Sequence, residues 1–261
     1  GVKADFDKAL PRTLAYEGHQ ESELVHAPAR RGTVGPAARR TQEWLCLHGL
    51  KIAVDGEFGP ATEHAVREFQ GRGGLAPSGI VDVDTGAALA APLRRALETP
   101  RIVPDGIGQT VVTVAAQHLA ERPREVGGPN CGPWVRLYTG GHEGKEWAWC
   151  AAFGCSILRQ ACGLHDVPLP LDLSFRVTNL VTFARLADRF VNGDAAAPDP
   201  GDFFVLRAVS HTGIVIAVHP DVIEAIEGNS NPGGSREGTE VCRRIRARRG
   251  MDYLRVGSKA T

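Results

Sequence analysis

No stretch of this 261-residue chain approaches the roughly twenty consecutive apolar residues that a membrane-crossing helix requires, so insertion through a helical span is not expected. Neither sign of charge prevails. The 30 Lys and Arg side chains balance 30 Asp and Glu, and a formal net charge of +0 gives no bulk attraction to nucleic acid. The first residues, Gly1-Val2-Lys3-Ala4-Asp5-Phe6-Asp7, lack the apolar stretch of a signal peptide. Metal-type spacing is missing too. Cys162-Gly163-Leu164-His165 has no second pair at zinc distance, so no metal and no organic cofactor is expected. Six cysteines are present, Cys46, Cys131, Cys150, Cys155, Cys162 and Cys242, and their spacing supports no disulfide pattern.

What is present divides the chain in two. Val54-Asp55-Gly56-Glu57-Phe58-Gly59-Pro60 and Ser78-Gly79-Ile80-Val81-Asp82 read as one turn motif used twice, each leading into an apolar helical stripe. Pro60 suits a first helical position, and Ala65, Val66 and Phe69 form a stripe matched by Trp44 and Leu45 before it and by Leu89, Leu93 and Leu97 after it. The expectation is three short helices over residues 36–97, preceded by a helical N-terminal extension over residues 1–35. Residues 98–109, with Pro100 and Pro104, read as a stiff linker, because neither flank's periodicity continues through them.

The second part, residues 110–261, carries the chemistry. Glu146-Trp147-Ala148-Trp149-Cys150 opens an apolar run whose Phe153 and Ile157 lie four apart, so Cys150 stands at the start of a buried helix. A thiol attacks only as thiolate, and a helix N-terminus contributes at most about 2 kcal/mol toward that form. An imidazole within hydrogen-bond reach supplies the rest, which directs attention to His211. Three apolar runs, 203–206, 211–218 and 222–229, with His219-Pro220-Asp221 as punctuation, predict a hairpin. If its turn centres on Pro220, paired positions sum to 440, and His211 lies opposite Asn229 and diagonal to Glu227. Either side chain could then orient the imidazole.

Taken together, Trp-Cys-Ala-Ala-Phe, the Pro200-Gly201-Asp202 turn, the His-x-Gly-Ile-Val run and the Glu-Gly-Asn end resemble a CHAP domain, a cysteine, histidine-dependent amidohydrolase/peptidase. The resemblance covers roughly Thr110 to Tyr253 and implies an α+β domain of the papain-like and NlpC/P60-like kind, with an antiparallel sheet. It also implies cleavage of amide bonds in or beside the peptidoglycan stem peptide, as a muramoyl-alanine amidase or an endopeptidase. Cys150 would be the nucleophile, His211 the base, and Glu227 or Asn229 the third member. Some CHAP domains carry an aspartate-rich calcium loop before the nucleophile. Here that segment is Thr139-Gly140-Gly141-His142-Glu143-Gly144-Lys145-Glu146, without aspartate, so no calcium site is expected. Residues 36–97 are similar to the peptidoglycan-binding domain 1 family, which implies bacterial peptidoglycan as partner. A monomer acting at the cell wall or periplasm, after phage-type release or specialised secretion, follows from these resemblances.

Plainer readings compete. Five of the cysteines read as small buried hydrophobes, and Cys155 lies about 140° around the helix from Cys150, away from its exposed face. Glu17-Gly18 faintly resembles a muramidase motif but reads better as a solvated helix position. Arg243, Arg244, Arg246, Arg248 and Arg249 read first as a charged strand edge and second as a contact for wall anions. The whole-chain rival is an inactive wall-binding or structural protein of a virion or secretion system.

Overall fold

The computed structural model describes residues 28–233 and 238–257. The helix expected near Phe6–Gly18, and Glu17 with it, lies outside the described residues. The fold is α+β. Helices come first, as α1 (Pro36–Leu47), α2 (Pro60–Arg72), α3 (Val83–Leu89), α4 (Ala91–Leu97), α5 (Ile107–Ala120), α6 (Pro133–Thr139), α7 (Cys150–Leu164) and α8 (Val177–Leu186). The strands follow as β1 (Phe190–Asn192), β2 (Phe203–Leu206), β3 (Thr212–Val218), β4 (Val222–Ser230), β5 (Glu240–Ala247) and β6 (Met251–Leu254). By packing, the described chain forms two compact units. One holds the residues up to Arg95 together with Arg124–Lys145, and the other holds Ala96–Pro123 together with the residues from Glu146 onward.

In the first unit, α1 and α2 each begin at a proline, whose missing amide proton would have been unpaired there in any case. The repeated turn motif has a repeated lock. Gln42 on α1 accepts a hydrogen bond from the Gly56 amide at 2.8 Å and donates to Asp55 at 2.7 Å and Thr62 at 3.1 Å. Gln70 on α2 does the same one turn later, accepting from the Gly79 amide at 2.9 Å and donating to Ser78 at 3.1 Å and Thr85 at 3.0 Å. Both glutamines are buried, so each turn is tied to the helix before it by a polar group whose needs are met. The stripe Leu89, Leu93, Leu97 was expected on one helix and lies on two. Pro92 cannot continue a helix, so α3 ends at Leu89 and α4 restarts around it.

The packing division also differs from the one drawn from sequence. Segment Arg124–Lys145, placed with the second domain by sequence, packs with the first helices. The cause is a buried charge. Glu43 on α1 is fully enclosed, and its carboxylate accepts from Arg39 at 2.9 Å and from both terminal nitrogens of Arg136 at 2.6 and 3.2 Å. Arg136 also donates to Glu143 at 2.7 Å, Trp134 meets Trp44 edge to face at 6.2 Å, and Arg124 donates to the final carbonyls of α1. An unpaired carboxylate there would carry a large desolvation penalty.

The second unit is built on a six-stranded antiparallel sheet in the order β1-β6-β2-β3-β4-β5. Helix α7 lies on β3, β4 and α5. Its Phe153, Ile157 and Leu158 are wholly buried, each contributing about 1.5–3 kcal/mol of transfer free energy. The hairpin forms as expected, but by a different route. His219 donates to the Val222 carbonyl across a two-residue Pro220-Asp221 turn, so the pairs nearest the turn, Val218 with Ile223 and Ala217 with Glu224, sum to 441. A register shift between Val215 and Ala217 then returns the ladder to 440, with Val215 opposite Ala225 and Ile214 opposite Ile226. The bulge therefore determines which residues stand beside His211.

Candidate active site

Cys150 is the first residue of α7, and no side chain caps that helix start. The amides of its first turn have no partner within the helix and are available to a negative charge near the sulfur. His211 immediately precedes β3, and Glu227 lies on β4. The structure brings all three together. His211 Nε2 is 2.8 Å from Glu227 Oε2, and Cys150 lies near enough to be among the groups that raise the pKa of the same ring. An ionised carboxylate can only accept, so Nε2 carries the proton and Nδ1 is left for exchange with sulfur. Nδ1 has no aligned partner among the described residues, which fits a contact that tightens when substrate arrives. Little of the site reaches solvent, with Cys150 5%, His211 1% and Glu227 0% exposed.

Two glycines of the sequence motifs have a packing reason. A Cβ on Gly228 would lie 2.5 Å from Phe153 Cβ and 3.0 Å from the Trp149 ring, so only glycine lets β4 approach the helix that carries the thiol. A Cβ on Gly213 would lie 2.7 Å from Glu227 Cγ and 2.8 Å from Phe204. Gly213 therefore opens the space that the Glu227 side chain fills.

Electrostatics separate this histidine from His118. Burial pushes the His211 imidazole down, but hydrogen bonds and charge from Cys150 and Glu227 outweigh it, and its pKa rises to about 9. Burial pushes the Glu227 carboxyl up, and hydrogen bonds and charge from Arg246 and His211 reverse that, holding it at about 2. His118 shows the case in which burial prevails over weaker upward pulls, Glu121 among them. It bonds to the neutral Gln160 at 3.0 Å and is pushed down to about 4 by desolvation.

Asn229 stands differently from Glu227. Its backbone is left-handed, with φ of 52°, at the register shift between β4 and β5, and its Oδ1 has no hydrogen-bond partner among the described residues. The imidazole is bonded by Glu227. Of the remaining cysteines, Cys155 is buried and its thiol is pushed up to about 12 by desolvation, while Cys46 and Cys131 are only half-buried. All six are free thiols. His165, which follows Cys162, bonds to Thr110 at 2.8 Å. Among the described residues, no group of three or more His, Cys, Asp or Glu side chains is gathered so as to hold a metal ion. No helix of the described residues is long and apolar enough to cross a membrane.

The arginine run corrects the reading that gave it to solvent as a whole. β5 is the sheet edge, and Arg243 on it pairs with Glu224. Arg246 instead turns inward, donating to Glu227 Oε1 through Nε and to Oε2 through Nη2 at 2.7 Å. Ser230 adds a hydroxyl donor to Oε2 at 3.0 Å. The sequence signal for Arg246 was weak, because it appears only once the β4–β5 pairing is known: Arg246 opposes Ile223, which shares a face with Glu227.

Residues 34–89 match the peptidoglycan binding domain family, about a fifth of the chain. The chain is also 44% identical over 52 residues to the zinc D-Ala-D-Ala carboxypeptidase of Streptomyces albus G, a stretch covering 19% of this chain and 20% of that protein. The chain thus spans about a fifth of the length of the relative it matches. These matches support a role connected with the cell wall and peptidoglycan as a partner of the first unit.

Proposed function

We propose that the protein is a cysteine-dependent peptidoglycan hydrolase that cuts amide bonds in or beside the stem peptide, with the second unit acting as a CHAP-type domain and the first as its wall anchor. The observation that carries this reading is the 2.8 Å contact from His211 Nε2 to a buried Glu227 held well below the usual carboxylate range, with the Cys150 thiol at the start of α7 among the groups that raise the pKa of that ring. His211 takes the Cys150 proton through Nδ1, and the sulfur adds to the amide carbonyl carbon. The negative oxygen that forms is stabilised by the unpaired amides of the first turn of α7. His211 then protonates the leaving amine, which departs as a thioester forms. Water, deprotonated by the same nitrogen, releases the carboxylic acid and restores the thiol. Glu227 keeps the proton on Nε2 throughout and balances the imidazolium charge.

A catalytically silent wall binder is the second reading, favoured by the family match over residues 34–89. One experiment separates the two. Purified sacculi are incubated with the wild type and with Cys150→Ala, followed by mass spectrometry of the released fragments and co-sedimentation of the protein. The hydrolase reading expects new amino termini from the wild type, none from the variant, and sedimentation of both. Equal release by the variant, or none by either protein, would overturn it.

A further inference from the structure

We propose that Arg246 is the positioning residue of this site, fixing the Glu227 carboxylate in the one orientation that holds the His211 tautomer needed to activate Cys150. The inference rests on the hydrolase reading above and names a part that neither the motifs nor the matches assign. Glu227 has two oxygens with two duties. Oε2 must accept the hydrogen bond from His211 Nε2, and a terminal carboxylate torsion is broad, so a carboxylate held by histidine alone could swing and present either oxygen. Arg246 prevents this by engaging both. Its Nε reaches Oε1 and its Nη2 reaches Oε2 at 2.7 Å, and Ser230 Oγ closes the remaining side of Oε2 at 3.0 Å. A planar fork sets the plane of a carboxylate, whereas a single ammonium does not.

The fork is itself held. Arg246 is half-buried, and its guanidinium lies 5.5 Å from the centroid of the Phe204 ring, which also meets the His211 ring at 6.2 Å. Phe204 thus packs beside both cations while Glu227 joins them. Arginine also keeps its charge at any pH the protein meets, so Glu227 has a permanent counter-ion that does not depend on the state of the imidazole. The titratable and charged groups facing this carboxylate are His211 before β3, Cys150 of α7 acting through it, and Arg246 and Cys242 on β5. Arg246 removed, Glu227 would keep its desolvation and lose its leading stabiliser. Protonation of Glu227 would then occur at higher pH and would strip the imidazolium of its anion.

The test measures the rate of Cys150 carbamidomethylation by iodoacetamide from pH 4 to 10, in the full chain, for wild type, Arg246→Met, Arg246→Lys, Glu227→Gln and the double variant Arg246→Met/Glu227→Gln. Hydrolysis of sacculi is followed in parallel. Loss of charge-assisted bonds of this kind corresponds to about 10- to 100-fold in rate. The expected result is such a loss in Arg246→Met, an acid limb moved to higher pH, partial recovery in Arg246→Lys, and no added loss in the double variant over Glu227→Gln. A wild-type profile in Arg246→Met, or full additivity in the double variant, would overturn the proposal. If Arg246→Met does not fold, Arg246→Lys decides: an unchanged acid limb and rate refute the positioning role, and a raised limb with a reduced rate supports it. Failure of the hydrolase reading looks different, because the wild type would then hydrolyse nothing and show no selective alkylation of Cys150.

Discussion

Replacing Gly228 by alanine should disable the site without altering a reactive group. The added Cβ would sit 2.5 Å from Phe153 Cβ, 2.8 Å from Phe153 Cγ and 3.0 Å from Trp149 Cζ3. Ordinary carbon contacts lie at about 3.5–4.0 Å, so the gap must widen by about 1 Å. Phe153 Cβ is fixed to the helix backbone and cannot rotate away, so the movement falls on α7 as a whole, or on β4. Overpacking of this kind costs about 1–3 kcal/mol, which lowers the melting temperature by about 2–4 °C per kcal/mol in a domain of this size. Because α7 carries Cys150 and β4 carries Glu227, the same displacement separates the nucleophile from the carboxylate that orients its base, and a misplacement of about 1 Å can reduce rate about 100-fold. Gly163 provides the control. It lies in the same helix with nothing within 4 Å of an added Cβ, so Gly163→Ala should stabilise by about 0.5–1 kcal/mol with activity intact. Thermal denaturation and Cys150 alkylation rates read both variants. A Gly228→Ala protein with an unchanged melting point and unchanged alkylation would refute the close-approach argument.

Other expectations concern the buried charges. His211 has a folded pKa of about 9 against an ordinary 6.5, so its stabilising contribution is full below about pH 6.5 and lost as pH rises through 9. Glu227, held at about 2 against 4.5, contributes fully above about pH 4.5 and loses that contribution as pH falls toward 2. The stability gap between wild type and His211→Gln should therefore be widest between about pH 4.5 and 6.5 and shrink by pH 9.5, as followed by urea denaturation; a gap that grows with pH would contradict the pairing. In the first unit, Glu43→Gln leaves Arg136 without its buried carboxylate and should cost about 3–5 kcal/mol, with the loss confined to the melting of that unit. A fragment of residues 28–97 lacks both Arg136 and Trp134 and should melt well below the intact chain by circular dichroism; equal melting would show that Arg124–Lys145 adds nothing.

Much of this architecture was legible from local pattern. The helix at Cys150, the runs that became β2, β3 and β4, and the doubled turn motif are short-range features, and each is set by residues within about twenty positions of one another. The contacts that escaped were long-range and polar. Gln42 and Gln70 stand in apolar stripes and look like interruptions until their turns fold back onto them. Arg136 lies in a segment that sequence order assigns to the second part, and only the buried Glu43 explains its place. The register at Ile214 and Val215 came out as expected although the turn did not, because a bulge compensates a one-residue displacement, and bulges leave little trace in composition. Arg246 sat in a run of five arginines that share one sequence character and serve different ends.

The central claim is that one thiol of six is activated by an imidazole and a carboxylate, and the most direct measurement is a peptide map after brief treatment of the native chain with limiting iodoacetamide at pH 7. Cys46 and Cys131 are more exposed than Cys150, and burial together with Glu143 pushes the Cys131 thiol up, so accessibility and activation point to different residues. The expected outcome is label on Cys150 ahead of both, abolished as a preference by His211→Ala. Label that follows exposure, reaching Cys46 and Cys131 first in wild type and variant alike, would contradict the account.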